Sequence, residues 1–315
     1  MKIVFMGTPD FAEESLKKIY EAKHEIISVV TNPDRPKGRG MKLISSPVKE
    51  YALEHDLTVL QPEKVKGNIE FIEKIKELNP DIICVVAYGK ILPKEILEIP
   101  KYGCINVHAS LLPKYRGAAP IQWAVINGDK TTGVTTMYMD LGMDTGDMIL
   151  KREVEIGDEE TTGELWDRLK VIGGELLVET VEKIEKGIAP REKQDEEYTM
   201  APMLSKDMAK IDWNKTAEDI KNLVRGLNPI MGAYTFLNGK KVKFWKVQVA
   251  KEIHAENMNF LKNGTVIVSD AKDGIYIKCK EGILKVLEIQ GENAKRMTIQ
   301  DYLRGKPIQE FEIFE

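Results

Sequence analysis

The sequence contains few cysteines and no long apolar segment. Its three cysteines, Cys84, Cys104 and Cys279, are far apart and never in CxxC spacing. An odd number of isolated cysteines argues against both a disulfide framework and a zinc cage. No apolar run reaches the roughly 18 residues that a membrane-spanning helix needs. The apolar run in MKIVFMGTPD is also too short for a signal peptide. We therefore expect a soluble protein from a reducing compartment, without a membrane partner.

The glycine fingerprint of dinucleotide-binding proteins is also missing. Gly7-Thr8-Pro9 follows the first apolar run and resembles the opening of a nucleotide-binding fold, but GxGxxG is absent. A dehydrogenase is therefore poorly supported. The sequence is 43% apolar and 30% charged, as in ordinary globular proteins. Its 315 residues are about twice the usual length of one domain, so we expect two domains.

Strand-like and helical patterns alternate in the first part of the sequence. The strand-like runs are Lys2–Met6, Ile26–Thr31, Asp81–Ala87, Cys104–His108 and Val134–Met139, and helical patterns include Asn68–Leu78 and Ala118–Ile126. This alternation predicts the α/β class, with an open, mostly parallel Rossmann-like sheet. A long amphipathic helix follows, with Thr161 and Glu164 as its capping box and Gly187 as its stop.

The remaining sequence predicts a linker and a second domain. Residues 188–204 are charged and interrupted by proline, which indicates a linker between domains of residues 1–187 and 205–315. The second domain opens with a helical pattern and continues with short strand-like runs, with Asn238-Gly239 as a hairpin signal between the first two. The helix is Thr216–Leu227, and the runs are Ala233–Leu237, Lys241–Ala250, Gly264–Ser269, Gly274–Lys280 and Ile283–Ile289. We predict a small, OB-like β-barrel.

Two segments carry polar residues that could act on a substrate. In CINVH, Asn106 and His108 leave the same face near the carboxyl end of a strand, where open α/β sheets bind ligands. In MDLGMDTGD, Asp144 lies in a glycine-flanked loop directly after another predicted parallel strand, so we expect it at the same sheet edge. Alone, either segment is compatible with ordinary polar residues. A calcium loop would need different ligand spacing and a terminal Glu. Together they favour an active site.

Six segments together resemble the methionyl-tRNA formyltransferase family, over nearly the whole sequence. They are GTPDF at 7–11, NPDRPKGRG at 32–40, AYGKILP at 87–93, NVHASLLPKYRGAAPIQ at 106–122, GMDTGD at 142–147 and KIDW at 210–213. The pattern Asn-x-His-x-Ser-Leu-Leu-Pro-x-x-Arg-Gly, followed by the aspartate loop, is typical of folate-dependent formyltransferases as a group. The PDRPKGRG insertion points to the members that act on tRNA.

The resemblance implies a metal-independent enzyme. It would transfer the formyl group of 10-formyltetrahydrofolate to the free amino group of methionyl initiator tRNA, for initiation of protein synthesis. It also implies Asn106, His108 and Asp144 as the catalytic trio. Asn106 and His108 would donate hydrogen bonds to the negative charge that develops on the formyl oxygen. Asp144 would orient His108. An α-amino group, with an ordinary pKa of about 7.7, is partly neutral near pH 7, so no strong base is needed, and either His108 or Asp144 could take its proton.

Two further groups of binding residues are implied. The folate would contact Ser110, Leu111, Leu112, Pro113, Gly89, Ile91 and Leu92. The tRNA would be held by Arg35, Lys37, Arg39 and Lys42 of a long basic loop, with Arg39 foremost, and by Lys241, Lys243 and Lys246 of GKKVKFWKV. We expect one of Phe244 and Trp245 to fill the core. Residues 209–251 hold nine Lys or Arg against three Asp or Glu, which suits a polyanion. A merely solvated basic surface is the alternative.

Two other functions remain open from the sequence. One is a formyltransferase for a small-molecule amine, an amino-sugar nucleotide or a purine precursor, and the PDRPKGRG loop argues against it. The other is a non-catalytic RNA-binding or folate-sensing module, and the presence of Asn106, His108 and Asp144 argues against it. The resemblance also implies the bacterial cytoplasm, and we expect a monomer.

Overall fold

The computed structural model describes residues 1–37, 42–251, 258 and 260–315. It divides into two compact units. The first comprises Met1–Pro120, Thr132–Val154 and Trp166–Pro202, and the second comprises Ile121–Thr131, Glu155–Leu165 and Met203–Glu315. Among the described residues, no helix has both the length and the apolar character to cross a membrane.

A seven-stranded sheet forms the centre of the first unit. Its part of the chain contains β1 (Lys2–Gly7), β2 (Glu25–Val30), β3 (Arg35–Lys37), β4 (Lys42–Ile44), β5 (Val59–Leu60), β6 (Ile82–Val86), β7 (Cys104–His108), β8 (Thr131–Tyr138) and β9 (Met148–Glu155). The sheet order is β5-β2-β1-β6-β7-β8-β9, and β3 pairs with β4 separately. The pairs from β5 to β7 are parallel, which confirms the Rossmann-like prediction. The predicted parallel direction of the strand at Val134–Met139 is wrong, because β8 pairs antiparallel with β7.

Helices accompany these strands, and side chains cap the start of some of them. They are α1 (Asp10–Glu21), α2 (Pro47–Glu54), α3 (Ile69–Leu78), α4 (Lys94–Leu97), α5 (Pro120–Ile126) and α6 (Thr162–Glu185). Ser46 caps α2 and Asn68 caps α3, each accepting from a backbone N–H three residues on. The predicted capping box of α6 is confirmed, since Glu164 accepts from the Thr161 N–H at 2.8 Å and its own N–H donates to Thr161 Oγ1 at 3.3 Å.

The second unit is built on an antiparallel sheet. Its elements are α7 (Ala217–Gly226), β10 (Ala233–Leu237), β11 (Lys240–Val249), β12 (Val266–Asp270), β13 (Gly274–Lys278), β14 (Ile283–Gly291), β15 (Met297–Thr298) and α8 (Ile299–Gly305). The order is β10-β11-β14-β13-β12, with β15 beside β14. The last residues bond to both edge strands: Phe236 N–H donates to Glu315 O at 2.9 Å, and Val266 N–H donates to Glu312 O at 2.8 Å. The sheet is thereby closed, which confirms the small barrel.

The barrel core explains the KIDW motif. Trp213 packs edge-on against Phe244 with ring centroids 6.2 Å apart, and Phe244 packs against Phe314 at 5.4 Å. The Trp213 indole N–H donates to Thr235 Oγ1 at 3.1 Å, so the buried polar atom is satisfied. Phe244 is buried whereas Trp245 is half-exposed, which confirms that one aromatic of the pair fills the core.

Candidate active site

Asn106 and His108 lie on one face of β7, as their spacing predicts. β7 runs between β6 and β8, so its backbone is hydrogen-bonded on both sides. His108 is 5% exposed, whereas Asn106 is partly exposed. No side-chain hydrogen bond of Asn106 occurs within the described residues, so its amide is available to a substrate.

The ring of His108 is held by the chain that follows it. His108 Nε2 lies 2.8 Å from the carbonyl oxygen of Tyr115. A carbonyl oxygen can only accept, so Nε2 carries the hydrogen and donates it. Nδ1 is left facing Asp144 Oδ2 at 3.7 Å, beyond hydrogen-bond length. In the neutral ring Nδ1 is therefore the nitrogen without a hydrogen, and it faces the carboxylate.

The loop that carries Asp144 approaches His108 from the other end of β7. Because β8 is antiparallel to β7, the loop starts where β7 begins, and the Met139 N–H donates to Cys104 O at 2.8 Å. The loop then folds back to His108. The Asp140 carboxylate accepts from Gly142 N–H at 3.0 Å and from Thr145 Oγ1 at 2.6 Å, which closes the turn. The predicted exit at the carboxyl end of a parallel strand is therefore wrong, although the predicted meeting of Asp144 and His108 occurs.

Gly117 supplies a contact that the sequence did not reveal. Its backbone N–H donates to Asp144 Oδ2 at 2.8 Å. Gly117 has φ +124°, and a Cβ there would lie 2.7 Å from the carbonyl oxygen of Ala201. Only glycine allows both the conformation and the close approach. The Arg-Gly of the motif thus brings a backbone donor to the carboxylate.

The segment predicted as a linker runs beside the site. Thr199 Oγ1 accepts from the Tyr115 N–H at 2.8 Å, and Thr199 O accepts from the Arg116 N–H at 2.9 Å. Gln194, in the same segment, bonds to Arg116 and to the Asp144 loop. Sequence reasoning missed these residues, because nothing in a charged, Pro-interrupted stretch distinguishes one polar residue from another.

Thr135 shapes the loop that follows His108. It is paired with His108 across β7 and β8, and it is fully buried. Its hydroxyl accepts from the Leu112 N–H at 3.1 Å and donates to Ser110 O at 2.7 Å. Ser110 Oγ in turn donates to Lys114 O at 2.6 Å. The hydroxyl of Ser110 therefore supports the loop itself.

The residues predicted for folate lie on two loops at one sheet edge. β6 and β7 are parallel neighbours, so residues 87–92 and 109–113 leave the sheet side by side. Ile91 is 76% exposed, and a Cβ on Gly89 would meet no atom within 4 Å, so open space adjoins an apolar side chain. Leu92 and Leu112 are buried instead, while Leu111 and Pro113 are partly exposed. The exposed part of this set is apolar, as sites for flat heterocycles usually are.

Two family models match the sequence. One is described as formyl transferase and covers residues 1–181, and the other as formyl transferase, C-terminal domain, and covers residues 203–307. A methionyl-tRNA formyltransferase of Caldanaerobacter subterraneus subsp. tengcongensis is 53% identical over 311 residues, 98% of each chain. One of Clostridioides difficile is 55% identical over 310 residues, again 98% of each chain. The chain belongs to the methionyl-tRNA formyltransferase family. The family predicted from the motifs is confirmed.

Solved structures share the fold of this methionyl-tRNA formyltransferase family member. An N-formyltransferase from Helicobacter canadensis, with folinic acid and dTDP-3-aminofucose, has a TM-score of 0.66 at 20% identity and covers 93% of this chain and 100% of its own. HypX from Aquifex aeolicus, with tetrahydrofolic acid, has a TM-score of 0.63 at 16% identity and covers 100% of this chain and 50% of its own. At these identities the likeness concerns the fold alone.

The basic loop predicted for tRNA forms a short ribbon. β3 and β4 pair antiparallel from Arg35 opposite Ile44, which corrects the expectation of a loop without strands. Arg39 lies outside the described residues, and so do the side chains of Lys37 and Lys42. Arg35 is exposed.

At the base of the ribbon, Lys49 is already paired. Lys49 Nζ donates to Asp34 Oδ2 at 2.6 Å, and Gln61 Nε2 donates to Asp34 Oδ1 at 2.9 Å. These bonds, that of Lys49 first, hold the pKa of Asp34 below its ordinary value. The charge of Lys49 is therefore largely compensated.

The predicted lysines of the second unit lie on the outer face of β11. Lys241 and Lys243 alternate with buried residues, and a bulge after Phe244 keeps Lys246 exposed. Lys241 Nζ lies 3.5 Å from the ring centroid of Tyr234, on β10. Lys243 Nζ donates to Met231 O at 2.7 Å, and partial burial, followed by repulsion from Lys241, lowers the pKa of Lys243. Cations and half-buried rings thus alternate across this face.

Proposed function

We propose that this chain transfers the formyl group of 10-formyltetrahydrofolate to the α-amino group of methionyl initiator tRNA in the bacterial cytoplasm. The observation that carries the proposal is the approach of Asp144 Oδ2 to within 3.7 Å of His108 Nδ1, with the free amide of Asn106 on the same face. Full-length similarity to methionyl-tRNA formyltransferases supports the choice of acceptor.

The side chains suit attack by an amine on a formyl carbonyl. Nitrogen attack places negative charge on the formyl oxygen, and the Asn106 N–H can meet that charge. His108 can do so only through Nδ1, because Nε2 is engaged by Tyr115 O. Donation from Nδ1 requires the imidazolium, and the Asp144 carboxylate stands beside it. When the new C–N bond forms and the old one breaks, the proton of the amine passes to the departing nitrogen. His108 Nδ1 and Asp144 are the groups at hand to relay it.

The folate would lie between the two loops at the carboxyl ends of β6 and β7. Ile91 offers exposed apolar surface for the ring, and the open space at Gly89 leaves room beside it. Leu112 and Ser110 support this loop from its buried side, since both are buried and shape the loop. Neutral groups near the ring and polar groups at the reactive carbon are the usual division of a small-molecule site.

Two basic surfaces suit the tRNA. The ribbon of β3 and β4 offers Arg35, and Lys37, Arg39 and Lys42 belong to the same segment. The outer face of β11 offers Lys241, Lys243 and Lys246 beside Tyr234 and Trp245. Lysines bind phosphates, and aromatic faces accept unpaired bases.

A comparison of charged tRNAs tests the proposal. Purified protein is given the formyl-folate donor with methionyl initiator tRNA, methionyl elongator tRNA or an amino-sugar nucleotide, and formylated product is measured. We expect rapid formylation of the initiator and little of the other two acceptors. Equal rates with both tRNAs would contradict the proposed preference for the initiator tRNA. If only the amino-sugar nucleotide is formylated, the acceptor is a small molecule and not tRNA. If none of the three acceptors is formylated, the assignment as a formyltransferase is overturned.

A further inference from the structure

Gln194 uses its whole side-chain amide to tie two loops of the site together. Its Nε2 donates to Asp144 O and to Gly146 O, both at 2.8 Å, and its Oε1 accepts from Arg116 Nε at 2.9 Å. The orientation of the amide is forced by its partners, because a flipped amide would face two carbonyl oxygens with its own oxygen. Both N–H groups and the oxygen of Gln194 are therefore used.

These bonds complete a closed ring of contacts around Asp144. Gln194 holds the Asp144 carbonyl, and its oxygen holds Arg116. The next residue, Gly117, donates its N–H to the Asp144 carboxylate at 2.8 Å. Asp144 is thus held at its main chain by Gln194 and at its side chain by Gly117, which belong to two neighbouring segments. A displacement of either loop breaks the ring.

Asp144 needs such support because of its backbone conformation. Its φ is +55°, in the left-handed region that L residues seldom adopt. The loop is also held by the Asp140 side chain and by Arg191, whose Nε donates to Asp147 Oδ2 at 2.6 Å, but neither of these bonds involves Asp144. Without the two donors of Gln194, the Asp144 loop can relax to a conformation in which the carboxylate no longer faces His108 Nδ1.

We propose that Gln194 is a positioning residue, which fixes the Asp144 loop so that the carboxylate stays beside His108. The proposal rests on the role proposed above for Asp144. Gln194 touches neither His108 nor Asn106 among the described contacts, so it acts on the reaction only through Asp144 and Arg116. A displacement of about 1 Å in such a group costs roughly 10²-fold in rate.

Two substitutions separate the contacts of Gln194. Gln194→Leu removes all three bonds, whereas Gln194→Glu keeps an oxygen for Arg116 and loses both donors to the loop. We expect each to lower kcat by roughly 10- to 100-fold, with KM for tRNA and for the donor within about twofold of wild type. Gln309→Glu makes the same charge change at an exposed position and should leave kcat unchanged. A Gln194→Glu enzyme with wild-type kcat would overturn the proposal, because only the Arg116 contact would then matter.

A double-mutant cycle with Asp144→Asn decides whether the effect passes through Asp144. If it does, the Asp144→Asn/Gln194→Leu enzyme has nearly the kcat of Asp144→Asn alone. A double variant whose loss is the product of the single losses would overturn the positioning role. An Asp144→Asn enzyme with near wild-type kcat would instead refute the proposed catalytic assignment. The two failures are therefore distinguishable.

Discussion

The edge of the parallel sheet and the outer face of the barrel use polar side chains in opposite ways. At the sheet edge, His108 is buried, one ring nitrogen is engaged by a backbone carbonyl, and Asp144 is held by the Gly117 N–H. On the barrel, Lys246 is exposed and Lys241 lies over an aromatic ring. Chemistry on one carbon needs atoms in fixed places, whereas phosphates can be met by long side chains in water.

The same difference determines how large an effect a substitution has in each region. A hydrogen-bond donor aimed at developing charge in a sheltered site stabilises a transition state by several kcal/mol, on the order of 3. A single exposed lysine near a phosphate contributes much less, and salt screens it. Substitutions at the two regions should therefore differ in size and in the kinetic constant that they change.

The largest effect is expected at Asn106. Asn106→Ala removes an amide donor that has no partner in the described part of the chain, so the loss should fall on the transition state. We expect kcat to drop by about 10²- to 10³-fold with KM nearly unchanged, measured under saturating tRNA and donor.

The control for Asn106→Ala is stability. Because the Asn106 amide makes no bond within the described residues, its removal should leave the unfolding midpoint in place. A fall in kcat that follows a fall in the unfolding midpoint would indicate a structural role and contradict the assignment.

The second substitution affects the barrel without touching the chemistry. Thr235 is fully buried, accepts from Trp213 Nε1 at 3.1 Å and donates to Glu315 O at 2.8 Å. Thr235→Val keeps the shape but leaves the buried indole N–H without its acceptor. We expect a loss of about 1–3 kcal/mol in the free energy of unfolding, measured with urea.

Thr235→Ser is the matched comparison, because it keeps the hydroxyl and removes only a methyl group. It should cost less than Thr235→Val. For both variants kcat at 25 °C should stay at the wild-type value, since the residues proposed to be catalytic lie in the other unit. Reduced kcat in the folded Thr235→Val protein would contradict the separation of stability from chemistry.

Local patterns predicted most elements of both units. Runs of β-branched residues gave the strands, and the predicted CINVH strand matches β7. The Thr161–Glu164 capping box and the Asn238-Gly239 turn also formed as predicted. Each of these signals depends on residues a few positions apart. The edge strand β9 was not predicted, because its charged residues leave too few apolar ones to form a strand pattern.

Contacts between distant residues were beyond such patterns. An apolar run such as Val134–Met139 looks the same in either strand direction, so the antiparallel pairing of β8 could not be foreseen. Gln194 meets the Asp144 carbonyl across 50 residues of sequence, and its own neighbours show no apolar period. The site residues Asn106, His108 and Asp144 were accessible only through the combined motifs, and their roles stay predictions.

A smaller effect is expected from the barrel face. Lys241→Gln removes one cation of the face and should weaken tRNA binding a few-fold without changing kcat at saturation. The logarithm of the tRNA association constant falls linearly with the logarithm of the salt concentration. If Lys241 contacts one phosphate, this slope should become less steep by about 0.9 in the variant. Lys272→Gln is the matched control, because Lys272 is exposed in the turn between β12 and β13 and not on β11. An equal loss in both variants would mean that only overall charge matters.

The smallest effect is expected at Lys49, which shares the basic segment with Arg35 but is paired with Asp34. Lys49→Met should weaken tRNA binding less than Lys241→Gln, because the Asp34 carboxylate already compensates its charge.

The pKa of Asp34 lies below its ordinary 3.8, chiefly through the Lys49 bond and then the Gln61 bond. A lowered carboxyl pKa adds stability above pH 3.8 that is lost as the pH falls through the folded value. In a carboxyl NMR titration, Lys49→Met should therefore raise the pKa of Asp34 towards 3.8, and Gln61→Leu should raise it less. An unchanged Asp34 pKa in Lys49→Met, or a loss of tRNA binding as large as that of Lys241→Gln, would show that Asp34 does not compensate the charge of Lys49.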